Sequence, residues 1–525
     1  MGACALTASM VAGAAQAKTL IYCSEASPEG FDPGLFTAGT TFDASSRPVY
    51  NRLVEFKQGT TEIEPALAES WAVSDDGLQY TFKLRPDVKF QTTDFFTPTR
   101  SLNADDVVYS FERQFKADSP WAQYVQGGTW EYYNSMGMPK LISSVEKVDD
   151  MTVRFTLTRK EAPFLLNLAM DFASIMSKEY ADKLQADGNM EQLNQKPLGT
   201  GPFAFVGYQQ DQVIRYKAHP DYWRGKVKID DLVFAIAVDA SVRLQKLKAD
   251  ECQIFPYPNA ADVAAIKADP NLNVMQESGL NVAYLAYNTL QPPFDKPEVR
   301  KALNRAINKQ AIVDAVFGGA AIPAKNPIPP TMWSYNDAIV DDTYDPAAAK
   351  AALEAAGVKD LSMKIWAMPV ARPYMLNAMR TAELLQADFS AIGVKADIVT
   401  MEWAEYLAKS RAKDRDGAVI LGWTGDNGDP DNFLNTLLSC GAVGGNNRAQ
   451  WCNEEFDALL TKAKETSDQA ERTKLYEQAQ VVFKREGPWA TLDHSIVSMP
   501  MSKKVTGYIM NPLGVHDFQT VDITE

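Results

Sequence analysis

Residues 417–439, GAVILGWTGDNGDPDNFLNTLLS, contain a strand, a polar turn and the start of a helix in succession. The run 418–423 is almost wholly apolar and rich in branched residues, which predicts a strand buried on both faces. Asp429 and Pro430 then suit the N-cap and the first position of the next helix. Those assignments leave Asp426 without an ordinary structural role, in the turn where an open parallel sheet places its ligand crevice.

A second strand-to-helix unit lies upstream of this stretch. Residues 361–368, LSMKIWAM, predict a strand, and Pro373 suits the first position of the helix expected after it. Arg372 would then lie at a helix N-terminus, the end that attracts anions. The placement is reasonable for a cation only if an anionic group docks there.

Between the two units the chain predicts a strand over 394–401 and a helix over 403–413. Three successive strand–helix pairs imply parallel strands with right-handed crossovers, so both turns open on one edge of the sheet. Arg372 and Asp426 would therefore face one crevice with opposite charges, as a zwitterion with separated ends requires. Taken alone, each has an ordinary alternative, a solvated loop arginine and an Asx-turn aspartate.

Other segments predict isolated elements. The turn 75–77, Asp-Asp-Gly, is flanked by alternating apolar residues and predicts a β-hairpin. Asn103 suits the N-cap of a helix over 107–113. The apolar spacing over 297–317 predicts one continuous helix.

The composition is that of a soluble globular chain. With 525 residues, 46% hydrophobic and 23% charged, it exceeds a single core and should form two or three domains. A net charge of −15 argues against nucleic acid and against anionic membrane surfaces as partners.

Residues 1–17 are small and apolar, end in Ala-Gln-Ala and are followed by a lysine, which predicts a secretory signal peptide. The mature chain then holds an even number of cysteines in an oxidising compartment, and four cysteines allow three pairings. Cys440 and Cys452 are close in sequence and flank a Gly/Asn-rich loop, so we pair them, which leaves Cys23 with Cys252. The spacing of these residues gives no zinc or redox motif.

Six segments together resemble the extracytoplasmic solute-binding proteins of the ABC-transporter peptide/nickel family, over essentially all of residues 18–525. Those matching the family at large are LAESWAVSDDGLQYTFKLRPDVKF (67–90), LNADDVVYSFER (102–113), PLGTGPF (197–203) and VRKALNRAINKQAIV (299–313). Those closer to its dipeptide-binding branch are WAMPVARPY (366–374) and GWTGDNGDPDNF (422–433).

The resemblance implies an α/β periplasmic-binding-protein-like clamshell with mixed sheets, in which two main lobes are joined by two hinge crossings and a further lobe is added. Lobe I would comprise residues 18–50, 200–279 and 498–525. Lobe II, the additional lobe, would comprise 51–199, and lobe III 280–497.

The resemblance also implies roles for individual residues. Asp426 would receive the α-ammonium group of a dipeptide and the Arg372 guanidinium its α-carboxylate, with a tripeptide as the alternative ligand. The residues expected to line the ligand backbone are Thr37, Pro373, Tyr374, Trp423, Thr424 and Gly425. Both cysteine pairs match the pattern of the family.

By the same resemblance the protein is a periplasmic monomer that delivers its ligand to an inner-membrane ABC permease and makes or breaks no bond. A chemoreceptor is a further candidate partner, and we expect no nucleic acid, metal or cofactor. Within the family, the alternatives are a broader oligopeptide receptor and a receptor for haem or nickel.

A secreted hydrolase is the alternative from another class, because Asp426, Asp429 and Asp431 could act as paired carboxylates. As a calcium loop the segment fails, since Gly428 and Pro430 fall where ligands are needed. The sequence holds no G-x-S-x-G or H-E-x-x-H motif.

Overall fold

The computed structural model describes residues 17–116, 118–125 and 129–524. The predicted signal peptide, residues 1–17, lies outside this part of the chain except for its last residue. Over the described ranges no helix is long and apolar enough to cross a membrane.

The fold is mixed α/β, as predicted. In chain order the strands are β1 (Thr19–Ser24), β2 (Val54–Phe56), β3 (Ile63–Pro65), β4 (Ala68–Val73), β5 (Gln79–Leu84), β6 (Ile142–Asp149), β7 (Thr152–Leu157), β8 (Phe203–Gln209), β9 (Val213–Ala218), β10 (Asp231–Ile236), β11 (Leu272–Ser278), β12 (Asn281–Tyr287), β13 (Ala321–Pro323), β14 (Ser362–Trp366), β15 (Lys395–Val399), β16 (Ala418–Thr424), β17 (Trp489–Thr491), β18 (Asp493–Ser502), β19 (Val505–Thr506) and β20 (Asp522–Ile523).

The α-helices are α1 (Gly39–Ala44), α2 (Ser46–Val49), α3 (Ala104–Phe115), α4 (Glu131–Ser135), α5 (Met138–Leu141), α6 (Phe164–Leu168), α7 (Lys178–Ala186), α8 (Ala240–Lys248), α9 (Val263–Ala268), α10 (Pro297–Arg305), α11 (Lys309–Ile312), α12 (Pro346–Ala355), α13 (Ala378–Ala391), α14 (Trp403–Ser410), α15 (Asp431–Leu438), α16 (Glu454–Glu465) and α17 (Gln469–Glu486).

The sheet that positions the candidate site has the order β15-β14-β16-β12-β17. Strand β14 is parallel to both β15 and β16, which confirms the three predicted strand–helix units. Strand β12 joins them antiparallel to β16 and β17, so the sheet is mixed. Strands β12 and β16 are buried almost throughout, as expected of a sheet covered on both faces.

The remaining strands form separate sheets in other parts of the sequence. The orders are β1-β10-β9-β8, β11-β18-β13, β4-β5-β7-β6, β2-β3 and β19-β20. All strands within 51–199 pair only with each other. Strand β18 instead runs across the predicted boundary at 497/498 and pairs with β13 from within 280–497. The three-lobe division stays a prediction.

Two of the predicted elements are confirmed. Strands β4 and β5 form the predicted hairpin. Helix α3 begins after Asn103, whose side chain accepts a hydrogen bond from the helix backbone, while Asp106 completes a capping box.

The single helix predicted over 297–317 is wrong. The segment divides into α10, α11 and a π-helical turn over 313–317. The break falls at Asn308, whose side chain accepts a hydrogen bond from the Ala311 amide at 3.1 Å. The Asn308 backbone N–H donates to Asp388 Oδ2 at 2.9 Å. Asn308 is therefore the N-cap of a new helix and not part of a continuous one.

Both predicted cysteine pairs are bonded, Cys23 with Cys252 and Cys440 with Cys452. The first bridge lies in a small core of its own, packed among Leu244, Leu247 and Phe255. A second, much larger apolar core extends through the rest of the described chain.

Candidate ligand-binding site

The turns that follow β14 and β16 meet at one edge of the mixed sheet, because the two strands are parallel neighbours. Arg372, from the first turn, and Asp426, from the second, both line one cavity there. The space between its walls is about 730 Å³ when the open mouth is included, and the part that encloses water-sized molecules is about 70 Å³.

Seven of the eight residues predicted to contact ligand line this cavity: Thr37, Arg372, Pro373, Tyr374, Trp423, Thr424 and Asp426. Gly425 lies beside it but does not line it. The Gly425 amide donates to the Leu280 carbonyl at 2.7 Å, and a β-carbon at this position would collide with Phe433. Glycine is therefore needed here for packing behind the wall.

The cavity is otherwise mainly apolar. Its further lining residues come from helices α1, α14 and α15, from the mixed sheet, and from the C-terminal segment; among them are Phe42, Tyr284, Trp403, Leu407, Leu421, Leu437, Leu513 and Val515. Apolar walls with a few placed polar groups are typical of a site that orients a small ligand.

At the negative end, Asp426 is held by a network of three polar side chains. The Tyr132 hydroxyl donates to Asp426 Oδ2, and Asn432 Nδ2 donates to that hydroxyl at 3.0 Å. Asn432 Oδ1 accepts from the Asp426 amide at 2.8 Å and from Trp423 Nε1 at 3.0 Å. The amide of Asn432 thus directs the tyrosine proton toward the carboxylate.

Burial raises the pKa of Asp426 to about 7, against the opposing effect of the Tyr132 hydrogen bond. The cause is the loss of hydration around a carboxylate that lies in a mostly apolar cavity. Near neutral pH the group therefore exchanges readily between its neutral and ionised forms. A ligand cation beside it would favour the ionised form.

At the positive end, the predicted position of Arg372 needs a correction. The helix after β14 begins at Ala378, with Asn377 as its N-cap, so Arg372 does not lie at a helix N-terminus. The Arg372 and Met375 backbones exchange two hydrogen bonds of 2.9 Å, which form a tight turn over 372–375 instead. Asn377 accepts from the Arg380 amide, a stronger start signal than Pro373.

The charge of Arg372 is compensated by a residue that the sequence did not reveal. Arg372 NH1 donates to Glu25 Oε1 at 2.7 Å, and both side chains are buried. Glu25 Oε2 is buried without a hydrogen-bond partner among the described residues. Gly39 lies against the guanidinium, where a β-carbon would come within 3.0 Å of NH2.

The predicted helix start at Asp429 and Pro430 agrees with the cap geometry. Asp429 Oδ1 accepts from the Asp431 amide at 3.0 Å, as an N-cap side chain does, and Pro430 has helical backbone angles before the regular helix α15 continues from Asp431. The Asp429 carboxylate is also bonded by Arg472 at 2.8 Å. Asp429 and Asp431 are thus buried structural groups and do not line the cavity.

Four polar atoms in the cavity wall are buried without a partner among the described residues: Trp403 Nε1, Thr424 Oγ1, Asn446 Nδ2 and Arg448 Nε. Asn446 and Arg448 were not predicted from the sequence. They belong to the loop closed by the Cys440–Cys452 bridge, whose polar composition was the only available signal. Such groups lower the free energy of binding when a ligand satisfies them.

The described residues hold no group of three or more His, Cys, Asp or Glu side chains arranged to bind a metal. The three histidines, His219, His494 and His516, are buried and do not line the cavity.

The chain is similar to known proteins over almost its whole length. The sequence model of the bacterial extracellular solute-binding proteins, family 5 Middle, matches residues 62–445. The dipeptide-binding protein of Escherichia coli (strain K12) is 56% identical over 99% of this chain and 97% of that protein. Heme-binding protein A of Haemophilus influenzae is 50% identical over 98% of this chain and 94% of that protein.

A solved structure resembles the whole fold. The dipeptide binding protein from Pseudoalteromonas sp. SM9913, in complex with Met-Leu, superposes with a TM-score of 0.94 at 38% identity. The alignment covers 97% of this chain and 100% of that one.

Proposed function

The chain belongs to the bacterial extracellular solute-binding proteins of family 5, and on that premise we propose that it captures dipeptides by their charged ends for an ABC importer. Asp426 receives the α-ammonium group and Arg372 the α-carboxylate. The ligand then passes to the inner-membrane permease without chemical change.

The observation that supports this most is the pairing of Arg372 and Asp426 across one enclosed, mainly apolar cavity. An extended dipeptide separates its charged ends by roughly 6–7 Å, at about 3.3–3.6 Å per residue. Two fixed and opposite charges therefore measure ligand length. A longer peptide would leave one buried charge unpaired, at a cost of several kcal/mol.

The polar atoms without partners in the wall fit the rest of a peptide backbone. Asn446 Nδ2 and Arg448 Nε are donors suited to carbonyl oxygens, and the Thr424 hydroxyl can accept or donate. Contacts to backbone groups would bind many dipeptides alike, while Thr37, Pro373, Tyr374 and Trp423 enclose them. Tripeptides fit the proposal only if one terminus leaves its charged partner.

We further propose the three-lobe division given above, with ligand binding favouring a closed arrangement over an open one. The closed form is what the permease recognises. The proposed location is the periplasm, the proposed state is a monomer, and a chemoreceptor is a second candidate partner for the closed form.

Haem is a second candidate ligand, because one relative that is 50% identical is a heme-binding protein. Among the described lining residues the side chains that could ligate iron are the phenols of Tyr284 and Tyr374, since no His, Met or Cys lines the cavity. An absorbance scan after adding haemin tests this candidate, with a shifted Soret band as its signature.

The decisive experiment is a calorimetric titration of protein freed of ligand by unfolding and refolding. The ligands are dialanine, N-acetyl-dialanine, dialanine amide and tetra-alanine. We expect tight binding of free dialanine alone. Equal binding of the amide or of tetra-alanine would contradict the carboxylate role of Arg372 and favour a broader oligopeptide receptor, and no binding of any would overturn the peptide proposal.

A further inference from the structure

Two segments that connect successive strands lie side by side next to the cavity. One leads from β11 to β12 through residues 279–280, and the other leads from β17 to β18 through Leu492. The Gly279 amide donates to the Ser495 carbonyl at 3.2 Å, and the Leu492 amide donates to the Ala283 carbonyl at 2.8 Å. We call these two segments, residues 279–283 and 492–495, the double crossing.

Within the double crossing, Asn281 and Ser495 are joined by side-chain hydrogen bonds. Asn281 Oδ1 accepts from the Ser495 amide at 2.9 Å, and Asn281 Nδ2 donates to Ser495 Oγ at 3.1 Å. The backbone amide can only donate, so it fixes which end of the Asn281 amide group faces it. Both residues are buried, and this arrangement leaves the Ser495 hydroxyl proton free to point elsewhere.

The Ser495 proton points to the turn that carries Arg372. Ser495 Oγ donates to the Pro373 carbonyl at 2.5 Å. Because Arg372 and Met375 are doubly hydrogen-bonded, the turn 372–375 moves as one unit. Pro373 itself lines the cavity, so the turn lies between the cavity and the double crossing.

We propose that Ser495 is a positioning residue for carboxylate recognition. Held by Asn281 in the double crossing, its hydroxyl fixes the 372–375 turn so that the Arg372 guanidinium faces the ligand carboxylate. The placement of that guanidinium then depends on how the two crossing segments sit against each other. The inference rests on the proposed function, since it assumes that Arg372 binds a carboxylate.

The test compares ligands that differ only at the carboxyl end. In Ser495→Ala the Pro373 carbonyl loses its donor and the turn is free to shift, which weakens every contact that Arg372 makes to ligand. We expect the dissociation constant of dialanine to rise about tenfold, the range of one lost hydrogen bond. That of dialanine amide, measured at millimolar concentration, should stay the same.

Ser498→Ala is the matched control. Ser498 lies on the same strand, and its hydroxyl accepts from Gln276 Nε2 at 2.9 Å, away from the cavity. Both variants lose one hydroxyl from β18, so a general loosening of the strand would affect them alike. We expect the control to keep the wild-type ratio of the two dissociation constants.

Asn281→Asp tests the direction of the chain of hydrogen bonds, and serves if Ser495→Ala does not fold. An ionised carboxylate can only accept, so at a pH that ionises the introduced group Ser495 would donate to it and release Pro373 without any change in side-chain size. We expect the same loss of preference for the free carboxylate. Circular dichroism verifies folding of each variant.

An unchanged ratio of amide to acid binding in folded Ser495→Ala, or in folded Asn281→Asp, overturns the inference and leaves the proposed function intact. If wild-type protein itself binds dialanine amide as well as dialanine, the proposed function fails, whatever the variants do. The two failures are therefore distinct.

Discussion

Asp426 should make ligand binding depend on pH in a range where few side chains titrate. Its pKa is raised to about 7 by burial, and the ligand ammonium pairs only with the ionised carboxylate. Lowering the pH to 5.5 would leave about 3% ionised and weaken dialanine binding by about 30-fold. Above pH 8 the affinity should fall again, because an α-amino group loses its proton at about 7.7–8.0.

Calorimetry between pH 5.5 and 8.5 measures this profile. Asp426→Asn should bind more weakly at pH 7.5, by about 2–5 kcal/mol, and lose the acid limb of the profile. A wild-type affinity that does not change between pH 5.5 and 7.5 would show that Asp426 does not receive the ammonium group.

The same raised pKa affects the stability of the protein without ligand. The folded state holds the Asp426 proton more tightly than the unfolded state, whose pKa is near 3.8. Its contribution to stability is therefore present at low pH and is lost as the pH rises from about 4 through about 7. Ligand affinity and unliganded stability should thus change in opposite directions over that range.

Glu25 should compete with the ligand carboxylate for the Arg372 guanidinium. Glu25→Gln removes the charge that lies 2.7 Å from NH1, which leaves a buried arginine unpaired. The unliganded protein should lose about 3–5 kcal/mol of stability. A ligand carboxylate then restores the missing charge, so dialanine should raise the melting temperature of the variant by more than it raises that of wild type.

Thermal unfolding with and without dialanine measures this difference, and dialanine amide is the control ligand. An equal shift of the melting temperature in wild type and variant would mean that Glu25 does not compete with the ligand.

At the residue level, the sequence could predict Asp426 and Arg372 because each follows a strand with a strong periodic signal. Tyr132, which orients Asp426, and Glu25, which pairs with Arg372, lie about 300 residues away in the chain. No local pattern marks either contact. This separation along the chain explains why only part of the charge balance of the site was predictable from the sequence.

At the level of elements, parallel pairing of β14, β15 and β16 was predictable from alternation of strands and helices. The starts of helices were less predictable from the sequence, because a helix start depends on a capping hydrogen bond from a side chain and not on the spacing of apolar residues. Pro373 suggested a start that the structure places later, at Ala378. At Asn308 the same kind of bond divides a segment whose apolar spacing is continuous.

The loop closed by Cys440 and Cys452 should be necessary for both stability and binding, because it carries Asn446 and Arg448 into the cavity wall. Replacing both cysteines by serine removes a short covalent loop, at a cost of about 3 kcal/mol. Binding of dialanine should also weaken, since ordering the loop then becomes part of the cost of binding.

Replacing Cys23 and Cys252 by serine is the control, because that bridge lies in a small core none of whose described residues lines the cavity. Chemical denaturation should report a loss of stability for both variants, and calorimetry a loss of affinity only for the first. Equal affinities would exclude a role of the loop in binding.

On the scale of the whole molecule, the segment 51–199, predicted to form the additional lobe, supports the site by contacts to residues of its wall. None of the described residues that line the cavity comes from that range. It contacts the turn after β16 instead. The Tyr132 hydroxyl donates to Asp426, and the Asn167 side-chain oxygen accepts from Asn427 Nδ2 at 2.8 Å. These contacts support the turn that carries Asp426 and Asn427.

Glu131, in α4, provides charged contacts from the same range. Its carboxylate lies 2.6 Å from Arg411 and 3.8 Å from Arg448, both across the interface from α4. Glu131→Gln leaves one largely buried and one fully buried guanidinium without this partner in the closed arrangement, where breaking a buried pair costs about 3–5 kcal/mol. Both arginines gain hydration on opening, so the variant should open faster.

We therefore expect Glu131→Gln to release dialanine at least tenfold faster, with little change in the rate of association, because ligand reaches the site before the interface closes. Stopped-flow tryptophan fluorescence, to which Trp403 and Trp423 in the cavity wall contribute, measures both rates. Glu146→Gln is the matched control: Glu146 pairs with Arg154 on the surface of the same segment, where such pairs contribute about 0–1 kcal/mol. A release rate unchanged from wild type in Glu131→Gln would mean that this interface does not open when ligand leaves.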